Sequence, residues 1–426
     1  MVQMGQMPGS RLQNYLWFQR DPLGFILASR EAGDMVSLYN SKKRPSFVIH
    51  HPELIQQILV AKEKSFVKGR SSAILQRTVG QGVLTSEGQK HDRQKRTMMS
   101  AFAKPNLEAY AREVAAYTDA MVDGWQSGQK LALAHDMMLL TLRIICKTML
   151  GVDLQEEADK IGHSVEECIQ YSADRIYSPV PIPLGLPTQR NRTFKLSRRE
   201  LDRFARQMQG NRAPLLSPLL ANACPEQEIR DQILTILIAG HETTANLLGW
   251  VFYLIAKHPE VGERLAKEVA EAAGEEELTY EHAAKLPYAQ AVIQETLRLY
   301  PPAWAILREN IEPVELSGHR VEGHGTYILS PYALHRNAEV FPEPERFWPE
   351  RFVQREQDWP RFSYLPFGAG SRACIGSQYA MMEATLILAS IWRRGALRLA
   401  DEAFTAVPEP SISLRIKGGL EMIWQT

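Results

Sequence analysis

Residues 367–376 read Phe-Gly-Ala-Gly-Ser-Arg-Ala-Cys-Ile-Gly, and this ten-residue window constrains the chain more than any other. Gly368 and Gly370 let the backbone turn sharply, so main-chain N–H groups can point back at the sulfur of Cys374. The apolar pattern over 378–392 predicts a helix whose positive N-terminal end adds to the same field. Both effects favour a thiolate and predict a lowered Cys374 pKa. A lone cysteine is ordinarily a small buried hydrophobe. Six fixed residue types in ten positions, with Phe367, Gly368, Arg372 and Gly376 around the sulfur, make Cys374 a candidate metal ligand instead.

The rest of the composition narrows the class. The chain has 426 residues, 45% hydrophobic and 23% charged, enough for a large core. Its 49 basic and 49 acidic residues balance, so electrostatics gives no reason to expect a nucleic-acid partner. Four widely spaced cysteines without a Cys-x-x-Cys pair suit a reducing compartment. Residues 1–21 contain polar and charged residues throughout and no apolar run long enough for a signal peptide or membrane anchor, and this predicts a soluble cytoplasmic protein. The stretch 233–256 is long and apolar enough to cross a bilayer, but His241-Glu242-Thr243-Thr244 interrupts its centre. Ionisable groups are costly there, so a buried helix is expected.

Helical periodicity marks 52–60, 90–102, 106–125, 134–150, 154–175, 195–209, 226–257, 259–273, 288–300 and 378–392. Short extended pieces are expected at 35–39, 46–49, 314–316, 326–329 and 411–415. The layout is mainly α, of the α+β class. Two segments read as irregular: 66–88, and the Pro-rich 178–184 with its continuation to 191. Their apolar residues, among them Ile74, Val79, Ile176 and Val180, suit a lid over a hydrophobic cavity.

Ala239-Gly240-His241-Glu242-Thr243-Thr244 breaks a local rule at the middle of the longest apolar helix. Gly240 costs about 1 kcal/mol relative to Ala in a helix interior, and a buried Glu242 needs a partner. Ala239 and Gly240 leave room beside the helix for a flat group. Thr243 can bond its own preceding turn or donate outward, and Glu242 can exchange protons with water. Further on, Glu295 and Arg298 stand one helical turn apart. The same spacing recurs at Glu200 and Arg203 and at Glu343 and Arg346. What separates Glu295 is the Leu-Tyr-Pro-Pro that follows Arg298 and the Phe-Trp-Pro-Glu-Arg-Phe at 347–352.

Taken together, the cysteine loop, the Ala-Gly-His-Glu-Thr-Thr segment, the Glu-x-x-Arg helix and the 347–352 stretch resemble the cytochrome P-450 family in order and spacing, from about Asp34 to Trp424. The resemblance implies a triangular helix-rich fold with small β-sheets and a long central helix over a haem. It implies one haem domain over 1–426 with no fused reductase, and haem b held through Cys374 as axial thiolate ligand to the iron. Thr243 would then orient a water at dioxygen, and Glu242 would help relay protons. Glu295, Arg298 and Arg351 would form a buried structural network. Arg372, Arg308, His91 and Lys95 occupy positions that the family uses for the haem propionates, although bacterial relatives often carry Arg where Lys95 stands. Arg93 and Arg96 fall on other faces of that helix, where they are expected in solvent or in a basic patch for an acidic electron donor.

The implied activity is insertion of one atom of dioxygen into a lipophilic small molecule, as a hydroxylation or an epoxidation. Electrons would come from a ferredoxin or flavodoxin with its NAD(P)H reductase, and the chain would act as a monomer. Expected pocket walls are Ile74, Val79, Ile176, Leu234, Ile238, Ala303, Trp304, Ile306 and Ile412. A peroxide-driven peroxygenase or a haem-thiolate isomerase would share Cys374 without needing the acid–alcohol pair. A non-catalytic haem or lipophile binder would share the cavity.

Overall fold

The computed structural model describes residues 2–38, 44–178, 182–274, 276–353 and 359–426. Tyr39, at the end of the first expected strand, and Pro179, Val180 and Pro181 of the Pro-rich loop lie outside the described residues.

The interrupted apolar stretch is one continuous helix, Glu226–Lys257, of 32 residues and about 48 Å at 1.5 Å per residue. Apolar residues surround it on nearly every face, so other elements pack around it as a central rod. Against it lie the helices Leu133–Ile145, Pro287–Leu299 and Ser377–Trp392. Trp250 stacks flat on Tyr300 with ring centroids 3.7 Å apart, and joins the rod to the end of the Pro287–Leu299 helix. Proline at the first turn starts both Pro259–Ala273 and Pro287–Leu299, where its missing N–H has no bond to lose.

A six-stranded sheet flanks this helical body, in the order Met4–Gln6, Met35–Ser37, Ser46–Ile49, Thr326–Leu329, Ile306–Asn310 and Phe66–Val67. Strand Ile306–Asn310 pairs antiparallel with Thr326–Leu329, Arg308 opposite Tyr327. A second pair, Pro408–Pro410 with Leu414–Ile416, sets the turn at 411–413 against the central helix.

Most expected helices are present within a few residues, but three departures matter. Segment 66–88 is not irregular: it contains the helix Gly69–Val79. Its buried positions are Ser72, Ile74, Thr78 and Val79, so two of the four are polar and mask the apolar period. The helix expected from 195 begins at Gln189, where Thr188 caps it by accepting from the Asn191 N–H. In the connection between 209 and 226 lies the short helix Leu216–Ala221. Among the described residues, no helix is long and apolar enough to cross a membrane.

Candidate active site

Three elements build the site: the cysteine loop, the middle of the central helix, and the segment running from the Pro-Pro turn at 301–302 into strand Ile306–Asn310. The loop closes through the Cys374 N–H, which donates to the Phe367 carbonyl at 2.9 Å. Gly368 and Gly370 both take positive φ, +68° and +72°. At Gly370 a Cβ would sit 2.0 Å from the Leu59 carbonyl oxygen, so this loop can approach the 57–61 turn only without a side chain. Cys146, Cys168 and Cys224 are buried, whereas Cys374 is exposed.

The expected electrostatics of this thiol hold only in part. The Gly376 N–H bonds to the sulfur and the Lys95 ammonium lies nearby, and both pull its pKa down. Burial of its other sides outweighs them and pushes the Cys374 thiol up from its ordinary value. A glycine-rich turn alone therefore does not make the thiolate; a bound metal cation is what deprotonates a coordinating thiol outright.

Along the central helix every residue from Glu228 to Ile255 is buried except Ala239, Gly240, Thr243 and Asn246. Spaced at i, i+4 and i+7, with Gly240 beside them, these form one accessible stripe. Gly240 has a second role that the sequence did not reveal: a Cβ there would lie 2.8 Å from Ile145 Cδ1, so the glycine is required for helix–helix approach. The Thr243 hydroxyl donates to the Ala239 carbonyl at 2.8 Å, bonding its own preceding turn. Glu242 is 4% exposed, so it does not exchange protons with bulk water directly. It accepts from Ser413 Oγ at 2.8 Å. Burial raises the Glu242 carboxyl to about 7, against the Ser413 hydrogen bond and Arg415, which both lower it. Thr244 points elsewhere, bonding the Gly240 carbonyl at 3.2 Å and facing Glu383 on the helix that follows the cysteine.

On the third side a surplus of cations gathers. Arg308 is buried, donates to the Leu307 carbonyl at 2.8 Å, and is lowered to about 10 by burial and then by the like charge of Arg372. Arg372 bonds the Ser86 carbonyl at 2.6 Å and pairs with Glu87. Lys95 donates to the carbonyls of Ser371 at 2.6 Å and Ala373 at 3.1 Å, so it clasps the cysteine loop. His91 is 3% exposed with Nδ1 against Asp92 at 3.1 Å. Lys68, absent from the expected set, joins them: it bonds the Leu84 carbonyl, and burial followed by Arg372 and Arg308 lowers it to about 7. Its sequence context, an isolated lysine before Gly69, carried no signal. Mutually depressed cations mark a place that an anion would stabilise, and this donor set suits the two carboxylates of a haem. Arg93 faces solvent as expected, and it also pairs with Glu228 at 2.7 Å at the start of the central helix.

Glu295, Arg298 and Arg351 are joined in one buried network. All five guanidinium N–H groups of Arg298 find acceptors: both Glu295 oxygens at 2.7 and 2.8 Å, and the carbonyls of His335, Pro344 and Arg346 at 3.0, 2.6 and 3.1 Å. Arg351 reaches Glu295 at 3.4 Å, and the Trp348 N–H donates to the same carboxylate at 3.0 Å. The look-alike pairs at Glu200–Arg203 and Glu343–Arg346 are solvent-facing ion pairs.

The pocket set divides. Ala303 is exposed and Ile176, Ile306 and Ile412 are half-buried. Ile306 lies over the loop, its Cδ1 3.8 Å from where a Gly368 Cβ would stand. Trp304 is buried against Tyr177, and both donate to the Ser411 carbonyl, at 3.0 and 3.1 Å. Val79 and Leu234 are fully enclosed in the core, and Ile74 and Ile238 are nearly so, which makes them core residues and not the pocket walls expected.

Comparison with known proteins gives a consistent result. The family model for cytochrome P-450 matches residues 4–418. Cyclooctatin synthase of Streptomyces melanosporofaciens is 34% identical, over 96% of this chain and 92% of its own length. Cyclooctat-9-en-7-ol 5-monooxygenase of the same organism is 35% identical, over 92% and 89%. Pentalenene oxygenase of Streptomyces avermitilis is 30% identical, over 91% of each chain. The crystal structure of CYP175A1 from Thermus thermophilus superposes with a TM-score of 0.83 at 27% identity, over 99% of this chain and 100% of that one.

Proposed function

Since the chain belongs to the cytochrome P-450 family, we propose that this haem b monooxygenase acts on a terpenoid hydrocarbon or its alcohol. The two relatives named for such compounds support the substrate class.

The observation that carries the reading is Thr243 on the accessible stripe beside the buried acid Glu242, whose carboxyl burial pushes up to about 7. Cys374 would hold the haem iron and Arg372, Arg308, Lys95, His91 and Lys68 would receive its carboxylates; the group would supply the redox chemistry toward dioxygen. The chain's own residues manage the rest. Cys374 would donate electron density to the iron, and Gly368 and Gly370 shape the turn that carries its sulfur. Thr243, fixed by the Ala239 carbonyl, presents its hydroxyl oxygen to a water. Glu242 holds the replacement proton out of bulk solvent. Ile306 and Trp304 exclude water from one side of the substrate.

Residues 1–426 serve as one haem domain, monomeric and cytoplasmic, taking electrons from a separate ferredoxin or flavodoxin with its reductase. The test is turnover of a panel of polycyclic terpenes and terpene alcohols with dioxygen, NADPH and a surrogate ferredoxin system. Product one oxygen heavier than substrate, with label from ¹⁸O₂, supports the proposal. Oxygenation confined to other lipophiles overturns the terpenoid assignment, and turnover only with peroxide overturns the oxygen–reductant reading.

A further inference from the structure

Ser413 was not among the expected site residues, yet it sits between two side chains of the central helix. Its hydroxyl accepts from Asn246 Nδ2 at 2.7 Å and donates to Glu242 Oε1 at 2.8 Å. Asn246 belongs to the accessible stripe with Thr243, one turn further along. An amide nitrogen only donates, so Asn246 occupies an acceptor site on Ser413 and leaves the serine proton for the carboxyl. Ser413 itself is 2% exposed and has little freedom. Its carbonyl accepts from the Ser411 N–H at 3.1 Å, and the next residue is held by the bond from the Leu414 N–H to the Pro302 carbonyl at 3.0 Å. Trp250 Nε1 donates to the Leu414 carbonyl at 3.2 Å from the same helix.

We propose that Ser413, with its rotor set by Asn246, is a positioning residue for Glu242, holding the carboxyl in one orientation and stabilising its ionised form. This rests on the reading of Glu242 as the proton-holding group. A hydrogen bond donated to a carboxylate favours the charged state, so Ser413 works against the burial that raises Glu242. The other charges facing the carboxyl are Arg415, on strand Leu414–Ile416, and Glu166, on the helix Ala158–Tyr177. Arg415 is itself occupied by Glu409 at 2.6 Å and approaches Glu166 at 3.9 Å, so it acts at a distance where Ser413 acts by contact. Without Ser413 the carboxyl would keep its proton to higher pH and release it less readily.

The experiment is a pH titration of the Glu242 carboxyl by difference infrared spectroscopy on the haem-loaded protein, with Glu242→Gln as the blank. Ser413→Ala should move the midpoint up by about one pH unit, and Ser413→Thr, which keeps the hydroxyl, should restore it. Asn246→Ala reads the same bond from its other end and should shift the midpoint in the same direction. In turnover, the alkaline limb of product formed per NADPH oxidised should move with it. A Glu242 midpoint unchanged in both Ser413→Ala and Asn246→Ala overturns the proposal, as does a shift that Ser413→Thr fails to reverse. The infrared titration needs no substrate, so a failure here is distinct from a failure of the monooxygenase reading, which would appear as absence of product in every variant.

Discussion

Lys95 and Ser371 are joined by a hydrogen bond of 2.6 Å from ammonium to backbone carbonyl, although 276 positions separate them in the chain. With its second bond to Ala373 at 3.1 Å, the lysine ties the helix Gly88–Met98 to the loop that carries Cys374. Charge-assisted bonds of this kind are short and strong; the one to Ser371 is exposed and the one to Ala373 half-buried. Replacing Lys95 by Met should cost about 1–2 kcal/mol after allowance for partial exposure. It should also accelerate loss of haem to apomyoglobin. A Lys95→Met protein with unchanged melting temperature and haem-transfer rate would show that the clasp contributes nothing.

Cys374 is the accessible thiol of the four, and its replacement should be decisive. Cys374→Ala or Cys374→His should abolish the strongly red-shifted absorption of the reduced carbon monoxide complex. Retention of that band in either variant would refute axial ligation by this residue.

Arg298 is 0% exposed and fully hydrogen-bonded, and removing it strands a buried Glu295 and three carbonyls. Breaking such a buried pair costs roughly 3–5 kcal/mol. Arg298→Ala should yield insoluble or haem-free protein, and Arg298→Lys should do little better because a point charge cannot reach five acceptors. The counter-result is a soluble, haem-loaded Arg298→Ala protein impaired only in turnover.

Thr243 should govern the fate of reduced oxygen without affecting haem incorporation. Its hydroxyl lies on the accessible stripe, whereas Thr244 is buried and turned toward Glu383. Thr243→Ala should still consume NADPH and oxygen but release mainly hydrogen peroxide, with product per NADPH falling several-fold. Thr244→Ala is the control. A larger loss of coupling in Thr244→Ala than in Thr243→Ala would place the proton relay on the other side of the helix.

Glu383 offers a pH test of stability. This fully buried carboxyl receives the Tyr379 hydroxyl at 3.4 Å, and burial raises it from the ordinary 4.5 to about 8. A folded-state pKa above the unfolded one means the folded protein holds the extra proton. Its stabilising effect is complete below about pH 4.5 and disappears as pH climbs to about 8. Glu383→Gln removes that dependence. Its melting temperature relative to the parent protein should therefore improve progressively between those limits, by an amount worth on the order of a few kcal/mol. A constant offset across the range would mean that Glu383 does not titrate there.

Much of this protein was legible in its sequence, and the reason is local. Gly368 and Gly370 announce a tight turn because their backbone conformations exclude side chains, and the Pro-initiated helices begin where a missing N–H costs nothing. Glu295 and Arg298 meet because a helix sets residues three apart on one face. From these, with the acid–alcohol segment, came the fold class, the candidate ligand cysteine and the buried network. The helix Gly69–Val79 escaped because half of its buried face is polar, so its period carried no apolar signal.

What only the tertiary structure decided are the pairings between distant segments. Nothing near Lys68 in sequence marks it as a member of a cation cluster, since Arg308 and Arg372 depress its pKa only once strand, loop and helix converge. Nothing in Ser-Ile-Ser at 411–413 shows which hydroxyl meets Glu242; the turn geometry and the bond from Asn246 select Ser413. The rise of the Cys374 thiol, against the fall expected from its glycine turn, has the same origin. Local motifs fix the direction of dipoles and the identity of donors. Desolvation depends on what the whole chain packs around a group, and at Cys374, Glu242 and Lys68 it is the larger effect.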